Sequence, residues 1–369
     1  MTKKNLIGLL LLCANVILSM AQTADLTSVD EFFKVTAMLK EGKDVSDEQW
    51  KEFDNSSGYK ELRQNSMNII KSMINVAFGR ENVAEKDSIL SITKDEMDKN
   101  PTMLMKKLAL VNYLDINDNY ESLNSFRANY DFNALVEKAI QRLFFFLEKS
   151  LDSTFEFKPV NFFFISLDGL VGENGICIDL NLIYKKTEEQ RVDFLAHEFF
   201  HNYRGKYVNS DYYKHDIAYA IDAIQDEGIA DLIDKNEGYQ KYFTDMGELP
   251  EMVELWVRLY NQAQEDLERL QNLSMRYAKN EISKNDMEDE IVEFFRFNGH
   301  PIGFFMAKQI ISVGYKSEML NTFYNPYEFY SLYNKAAKKQ NLFQLSDEFM
   351  NYLKSLTEEY YQEQTHNEK

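Results

Sequence analysis

The sequence predicts an α+β protein that is predominantly α-helical, with a small β-sheet ahead of two helices that carry histidine and acidic residues. Three observations support this fold class. Apolar residues recur at helical spacing over most of the chain, and glycine and proline are scarce, with 14 and 5 among 369 residues. Two short β-rich runs interrupt the helical pattern near the middle of the chain. The length is sufficient to bury a substantial hydrophobic core.

The first residues have the pattern of a secretory signal peptide. Lys3 and Lys4 form a basic start, an apolar block covers residues 6–18, and small residues precede Gln22. Because the apolar block is short for a membrane span, we expect residues 1–21 to be cleaved and the protein to be exported, to the periplasm or beyond the cell. An uncleaved membrane anchor is the competing interpretation.

The composition limits the partners. The formal net charge is −19 at pH 7, and such an acidic chain is repelled by nucleic-acid phosphates and anionic lipid. We therefore expect no nucleic-acid partner and no stable membrane insertion after signal cleavage. Cys13 would leave with the signal, so Cys177 would have no intramolecular disulfide partner, and we interpret it as a packing residue. The sequence makes no prediction of the oligomeric state.

After the signal peptide, the pattern divides into three predicted regions. Residues 22–155 form an N-terminal helical region, residues 156–315 hold the strands and the histidine-bearing core, and residues 316–369 form a C-terminal helical region. The strand-like runs cover residues 160–167 and 175–180. The second run fits either an edge strand that pairs with an extended peptide or a plain core strand.

A predicted helix carries the pattern His197-Glu198-x-x-His201. Thr187, followed three residues later by glutamine, forms a capping box at its start, and Gly205 marks its end. At 3.6 residues per turn, His197 and His201 share one face and Glu198 lies beside it. Two such imidazoles can bind one zinc ion, while a neighbouring carboxylate that is not a ligand takes a proton from the activated water. The same pattern also arises by chance.

The next predicted helix, residues 211–235, supplies a third ligand in Glu227. A catalytic zinc site needs three protein ligands and an open position. Asp231 follows one turn later and could accept the second ring N–H of His197, which would fix its tautomer. Gly228 weakens a helix interior, which makes sense if two helices approach closely there.

Other residues fit these roles less well. Arg204 and Tyr207 stand where a metzincin has glycine and histidine, which argues against that class. We regard His215 as a surface residue and Asp226 as a weaker ligand candidate than its neighbour Glu227.

Together, the HEFFH and EGIAD motifs resemble the gluzincin branch of zinc metallopeptidases, and more narrowly a group of exported bacterial proteins described as zinc-dependent peptidases. The resemblance covers residues 156–315 and is strongest at the two motifs. It implies Zn²⁺ as the cofactor, His197, His201 and Glu227 as its ligands, Glu198 as the general base, and a peptide or protein substrate.

Gluzincins also use a tyrosine or histidine to stabilise the oxyanion, and His300 is the candidate here. Its alternative role is that of an ordinary residue at a helix start. The main alternative function is an exported helical binding protein whose zinc site is structural or inactive.

Overall fold

A computed structural model describes residues 23–79, 82–165, 169–208 and 216–367. Helices dominate these residues, and the strands among them form one small sheet, which confirms the predicted fold class. In the described part of the chain, no helix is both long and apolar enough to cross a membrane. The predicted signal peptide and His215 lie outside the described residues.

Contacts between Cα atoms divide the chain into two compact units. Unit 1 contains the described residues up to Gln141 together with Asp152–Phe199, and unit 2 contains Arg142–Leu151 and the described residues from Phe200 onward. Of the three borders, those at residues 141–142 and 199–200 fall inside continuous helices, and the one at residues 151–152 falls in a loop. The domain borders expected near residues 155 and 315 stay predictions.

Unit 1 contains the sheet and the N-terminal helices. Its elements are β1 (Ala24–Asp25), α1 (Thr27–Lys40), α2 (Asp47–Asp54), α3 (Gln64–Phe78), α4 (Val83–Leu90), α5 (Lys94–Lys99), α6 (Pro101–Asp118), α7 (Tyr120–Asn129), most of α8 (Phe132–Phe146), β2 (Val160–Phe163), β3 (Gly169–Val171), β4 (Ile176–Asp179), α9 (Leu180–Lys185) and most of α10 (Glu188–Arg204).

The strand order in the sheet is β1-β2-β4-β3. Strand β2 runs parallel to β1 and to β4, whereas β3 pairs antiparallel with β4. Strand β4 is therefore internal, and all four of its residues are buried. The core-strand interpretation of residues 175–180 is confirmed, and the edge next to β4 is formed by β3, which the sequence pattern did not reveal.

Buried polar groups attach the N-terminal helices to this sheet. The Tyr59 hydroxyl donates to the carbonyl of Phe164 at 2.9 Å and accepts from its N–H at 3.2 Å. Asp179, at the end of β4, accepts hydrogen bonds from Asn112 at 2.9 Å and from the backbone N–H of Leu182 at 3.0 Å, which caps α9. Because these groups satisfy one another away from water, the N-terminal helices are part of the core of unit 1.

Unit 2 is helical. Its elements after α10 are α11 (Asp216–Asp234), α12 (Tyr239–Asp245), α13 (Pro250–Ala278), α14 (Lys284–Ile291), a 3₁₀ turn (Arg296–Gly299), α15 (His300–Ser312), α16 (Lys316–Asn321), α17 (Pro326–Gln340) and α18 (Asp347–Asn367). Apolar spacing in the sequence predicts helices at residues 250–279, 283–297, 301–313 and 326–339. The structure confirms the first, third and fourth within one or two residues. The second is shorter and ends at Ile291, before the 3₁₀ turn.

Helices α11 and α15 approach each other at two glycines. A Cβ atom on Gly228 would lie 2.3 Å from the carbonyl carbon of Gly303, and one on Gly303 would lie 2.0 Å from the carbonyl oxygen of Ile224. Such distances are too short for any side chain. The close helix approach expected at Gly228 is confirmed, with α15 as the partner.

Candidate metal centre

Helix α10 places the two histidines of the HEFFH motif one turn apart. Its start is the predicted capping box: the Thr187 N–H donates to the Gln190 side chain at 3.0 Å, and the Gln190 N–H donates to the Thr187 hydroxyl at 3.3 Å. Leu195, Ala196 and Phe199 on the same helix are fully buried. Burial of this apolar stripe fixes the rotation of α10.

His201 lies between two carboxylates of α11. Its Nδ1 is 3.0 Å from Asp226 Oδ1, and its Nε2 is 3.2 Å from Glu227 Oε2. Burial lowers the pKa of the His201 imidazole, but the charges of Asp226 and Glu227 and hydrogen bonds to both raise it well above its ordinary value. The two carboxylates thus favour a positive charge on this ring.

His197, His201 and Glu227 each offer a ligand atom, and these atoms all lie within 4.8 Å of one another. His197 and His201 belong to one continuous helix, and His201 and Glu227 belong to one compact unit. His197 and Glu227 are both buried, with 3% and 8% of their surface exposed. The structure thus brings together the three side chains that the sequence analysis selected as ligands.

Glu198 lies beside the sheet edge in unit 1. A Cβ atom on Gly169, the first residue of β3, would lie 2.5 Å from Glu198 Oε1. Because Gly169 has no side chain, the Glu198 carboxylate can occupy this space. Glu198 is buried, with 5% of its surface exposed.

His300 contacts the same carboxylate as His201. It is the first residue of α15, and its Nε2 lies 3.0 Å from Glu227 Oε2 while its Nδ1 lies 2.9 Å from Asp231 Oδ1. Burial lowers the pKa of this imidazole, but the charges of Asp231 and Glu227 raise it above its ordinary value. The support of His197 by Asp231 stays a prediction. The histidine that Asp231 contacts within unit 2 is His300.

Asp231 belongs to a buried network behind His300. The Tyr239 hydroxyl donates to Asp231 Oδ2 at 2.6 Å, and Lys235 Nζ lies 2.9 Å from Asp231 Oδ1 and 3.0 Å from Asp234 Oδ2. Burial lowers the pKa of the Lys235 ammonium, but the two aspartates raise it, so it stays charged. The lysine supplies the positive charge that these aspartates need.

The second oxygen of Glu227 has a partner that the sequence analysis missed. Asn298 Nδ2 donates to Glu227 Oε1 at 2.7 Å, and the Tyr219 hydroxyl donates to Asn298 Oδ1 at 2.5 Å. Asn298 lies 71 positions after Glu227 in the chain, and only the Asn-Gly pair at 298–299 signals a turn there.

Asp226 has a different role from the one considered in the sequence analysis. We ranked it there as a weaker ligand candidate, and the structure shows it as the partner of His201 Nδ1. Burial raises its pKa, but His201 and Arg204 lower it below the ordinary value. A carboxylate on the outer nitrogen of a ligand histidine fixes its tautomer and increases its basicity.

The donor set fits zinc. Two imidazoles and one carboxylate match the ligands of catalytic zinc sites, whereas calcium and magnesium prefer sites built from oxygen alone. Asp226 Oδ1 lies 3.0 Å from the outer ring nitrogen of His201, the place at which such sites have a supporting carboxylate.

Comparison with known proteins gives one family. No curated protein and no solved structure matches the chain. One family matches residues 49–342, well over half of the chain and including every site residue named above. By this match, the chain belongs to the family described as "Putative zinc dependent peptidase (DUF5700)".

Proposed function

We propose that this protein is an exported zinc metallopeptidase of the gluzincin type that hydrolyses bonds in peptide or protein substrates. Family membership supports a zinc-dependent peptidase, and the HEFFH and EGIAD motifs support the gluzincin branch. The observation that carries the proposal is the convergence of His197, His201 and Glu227 within 4.8 Å, with Glu198 adjacent in sequence.

His197, His201 and Glu227 would hold the zinc ion. Bound there, Zn²⁺ would supply a Lewis acid that lowers the pKa of a coordinated water to near neutrality. The protein's contribution is to orient both imidazoles. Asp226 would do so for His201, because its Oδ1 lies 3.0 Å from the outer ring nitrogen.

Glu198 would act as the general base. Its carboxylate is next to the zinc-binding face of α10 but lies toward β3, where the missing side chain of Gly169 leaves space. From this place it would take a proton from the attacking water and return it to the leaving amine. This role needs a carboxylate that is not itself a ligand, and Glu198 stands outside the group of three ligand side chains.

His300 would stabilise the negative charge that develops on the carbonyl oxygen. One ring nitrogen is anchored on Asp231, and the other faces the Glu227 carboxylate. A donor fixed in this way loses little energy to reorganisation during the reaction.

Strand β3 would align the substrate backbone. It is the strand at the end of the described sheet, and its first residue adjoins Glu198. An extended peptide that adds to this edge would lie next to the general base. Export follows from the predicted signal at residues 1–21, and the acidic surface opposes nucleic acid as a partner.

The test is hydrolysis of a peptide library by the wild type and by Glu198→Gln. We expect the wild type to bind about one zinc per chain and to cleave peptides. The variant should keep its zinc and lose roughly 10²- to 10⁴-fold in rate, since it lacks the base. Glu189→Gln is the matched control, because this exposed glutamate lies on the same helix away from the histidine face.

Two results would contradict the proposal. Hydrolysis that survives Glu198→Gln would exclude the assigned base. A wild type that binds zinc but cleaves no peptide in the library would favour the binding protein with a structural zinc site.

A further inference from the structure

The segment between α14 and α15 brings an amide to the metal centre through an unusual backbone. Phe297 and Asn298 both have left-handed dihedral angles, with φ of 49° and 52°, and Gly299 follows with φ of 82°. Asparagine and glycine tolerate this region, but for phenylalanine it is a true outlier. This conformation carries an energetic cost for Phe297, so the surrounding structure must hold it in place.

Ring packing compensates part of this cost. The Phe297 ring stacks on Trp256 with centroids 4.1 Å apart and planes 17° apart. Trp256 also meets the His300 ring edge-on, at 5.8 Å. A backbone held in a strained conformation by its surroundings is a frequent feature of functional sites. The two side chains that this turn delivers, Asn298 and His300, both contact Glu227.

The orientation of the Asn298 amide follows from its partners. The NH₂ group of Asn298 donates to Oε1 of the Glu227 carboxylate, which accepts the hydrogen bond. The amide oxygen then faces the Tyr219 hydroxyl, which donates to it. Burial and the nearby carboxylates, Glu227 first among them, raise the pKa of Tyr219, which keeps this hydroxyl protonated.

The two oxygens of Glu227 therefore have different surroundings. Oε1 accepts the Asn298 amide at 2.7 Å, while Oε2 faces the Nε2 atoms of both His201 and His300. A carboxylate whose second oxygen is occupied in this way offers one oxygen to an ion. A zinc site with one oxygen and two imidazoles keeps a position open for water, which a carboxylate binding through both oxygens would reduce.

We infer that Asn298, held by Tyr219, is a positioning residue that makes Glu227 a one-oxygen zinc ligand. The inference rests on the proposed zinc site and adds to it two residues from outside both motifs. Neither side chain touches the substrate in this role. They act through Glu227 alone.

The experiment measures zinc affinity and coordination in the full chain. The variants are Tyr219→Phe, which removes one hydroxyl and leaves the backbone unchanged, and Asn298→Ala. Zinc affinity is measured by competition with a chromophoric chelator, and cobalt(II) replaces zinc to report coordination number through its visible absorption. We expect zinc affinity to fall about 10- to 100-fold in Asn298→Ala and less in Tyr219→Phe, with a changed cobalt spectrum in both.

Two control variants separate positioning from general stability. Asn280→Ala removes another left-handed asparagine, with φ of 57°, at the end of α13. Tyr130→Phe removes another tyrosine hydroxyl that donates to a side-chain oxygen, here of Glu188 at 2.7 Å. Both controls should keep the wild-type zinc affinity and cobalt spectrum.

The outcomes are distinct. Wild-type zinc affinity and cobalt spectrum in Tyr219→Phe and Asn298→Ala would overturn the inference and leave the proposed function intact. If Asn298→Ala fails to fold, Tyr219→Phe decides alone. A wild type that binds no zinc would overturn both proposals.

Discussion

Two neighbouring stretches of helix α11 bury acidic residues in opposite ways. In the later stretch, Asp231 and Asp234 share the Lys235 ammonium, so a positive charge of the protein itself balances them. In the earlier stretch, Asp226 and Glu227 face the imidazole of His201. A lysine keeps its charge permanently, whereas an imidazole is neutral near pH 7 unless its surroundings protonate it.

The difference in the partners of these acidic residues indicates different roles for the two stretches of helix α11. Acidic groups that pair with a lysine of the protein have their charge balanced, and they contribute to a stable core. Acidic groups that face imidazoles favour a positive charge there, from a proton on the ring or, in the proposed site, from a metal ion. The earlier stretch therefore fits the proposed metal site, and the later stretch supports His300 through Asp231.

The largest expected effect is the loss of zinc from Glu227→Gln. Structural zinc sites release roughly 10–16 kcal/mol in total, so one of three ligands accounts for about 3–5 kcal/mol, or roughly a 10²- to 10⁴-fold change in affinity. Chelator competition measures this change. The metal-free variant should be at least as stable toward urea as the wild type, because one of two adjacent buried negative charges is gone. A clear loss of stability without metal would contradict the comparison.

Lys235→Met should instead lower the stability of the metal-free protein. Removal of the ammonium leaves two buried aspartates without their cation, which costs about 3–5 kcal/mol of unfolding free energy. Urea denaturation without metal measures this loss. The matched control is Lys241→Met, whose ion pairs with Glu237 and Asp245 are exposed, so it should change the stability far less. Equal effects of the two substitutions would refute the distinction.

Asp226→Asn should weaken zinc binding about 10- to 100-fold and leave the three ligands in place. The amide can still contact His201 Nδ1, but it no longer increases the basicity of the ring. Isothermal titration with zinc provides the measurement. Unchanged affinity would show that Asp226 serves the fold and not the metal.

The smallest expected effect on stability concerns Asp266 on α13. This buried acid is far in sequence from both stretches of helix α11. Burial raises its pKa to about 6, against the lowering influence of Arg269. Because the folded state binds this proton more tightly than the unfolded state does, the free energy of unfolding should fall as pH rises from about 4 to 6. The loss should be about 1 kcal/mol after allowance for solvent screening. Asp266→Asn should flatten this part of the stability profile, and an identical profile would contradict the assignment.

Short-range patterns predicted much of the site. The spacing of His197 and His201 and the cap at Thr187 follow from helix geometry, and all are local in sequence. The EGIAD motif pointed to Glu227. What the sequence did not reveal depends on distant partners: Asn298 reaches Glu227 only because the turn adopts left-handed angles. Strand β3 escaped notice because three residues carry no readable alternation.

The two glycines in contact, Gly228 and Gly303, also set the distance between His300 and Glu227. At their crossing no side chain separates α11 from α15, and His300 begins α15 three residues before Gly303. An alanine at Gly228 would force the helices apart by about an ångström or more, since its methyl group would lie 2.3 Å from a carbonyl carbon. The 3.0 Å contact between His300 and Glu227 tolerates only a few tenths of that movement. A substitution outside the proposed ligands would thus change a distance within the proposed catalytic site.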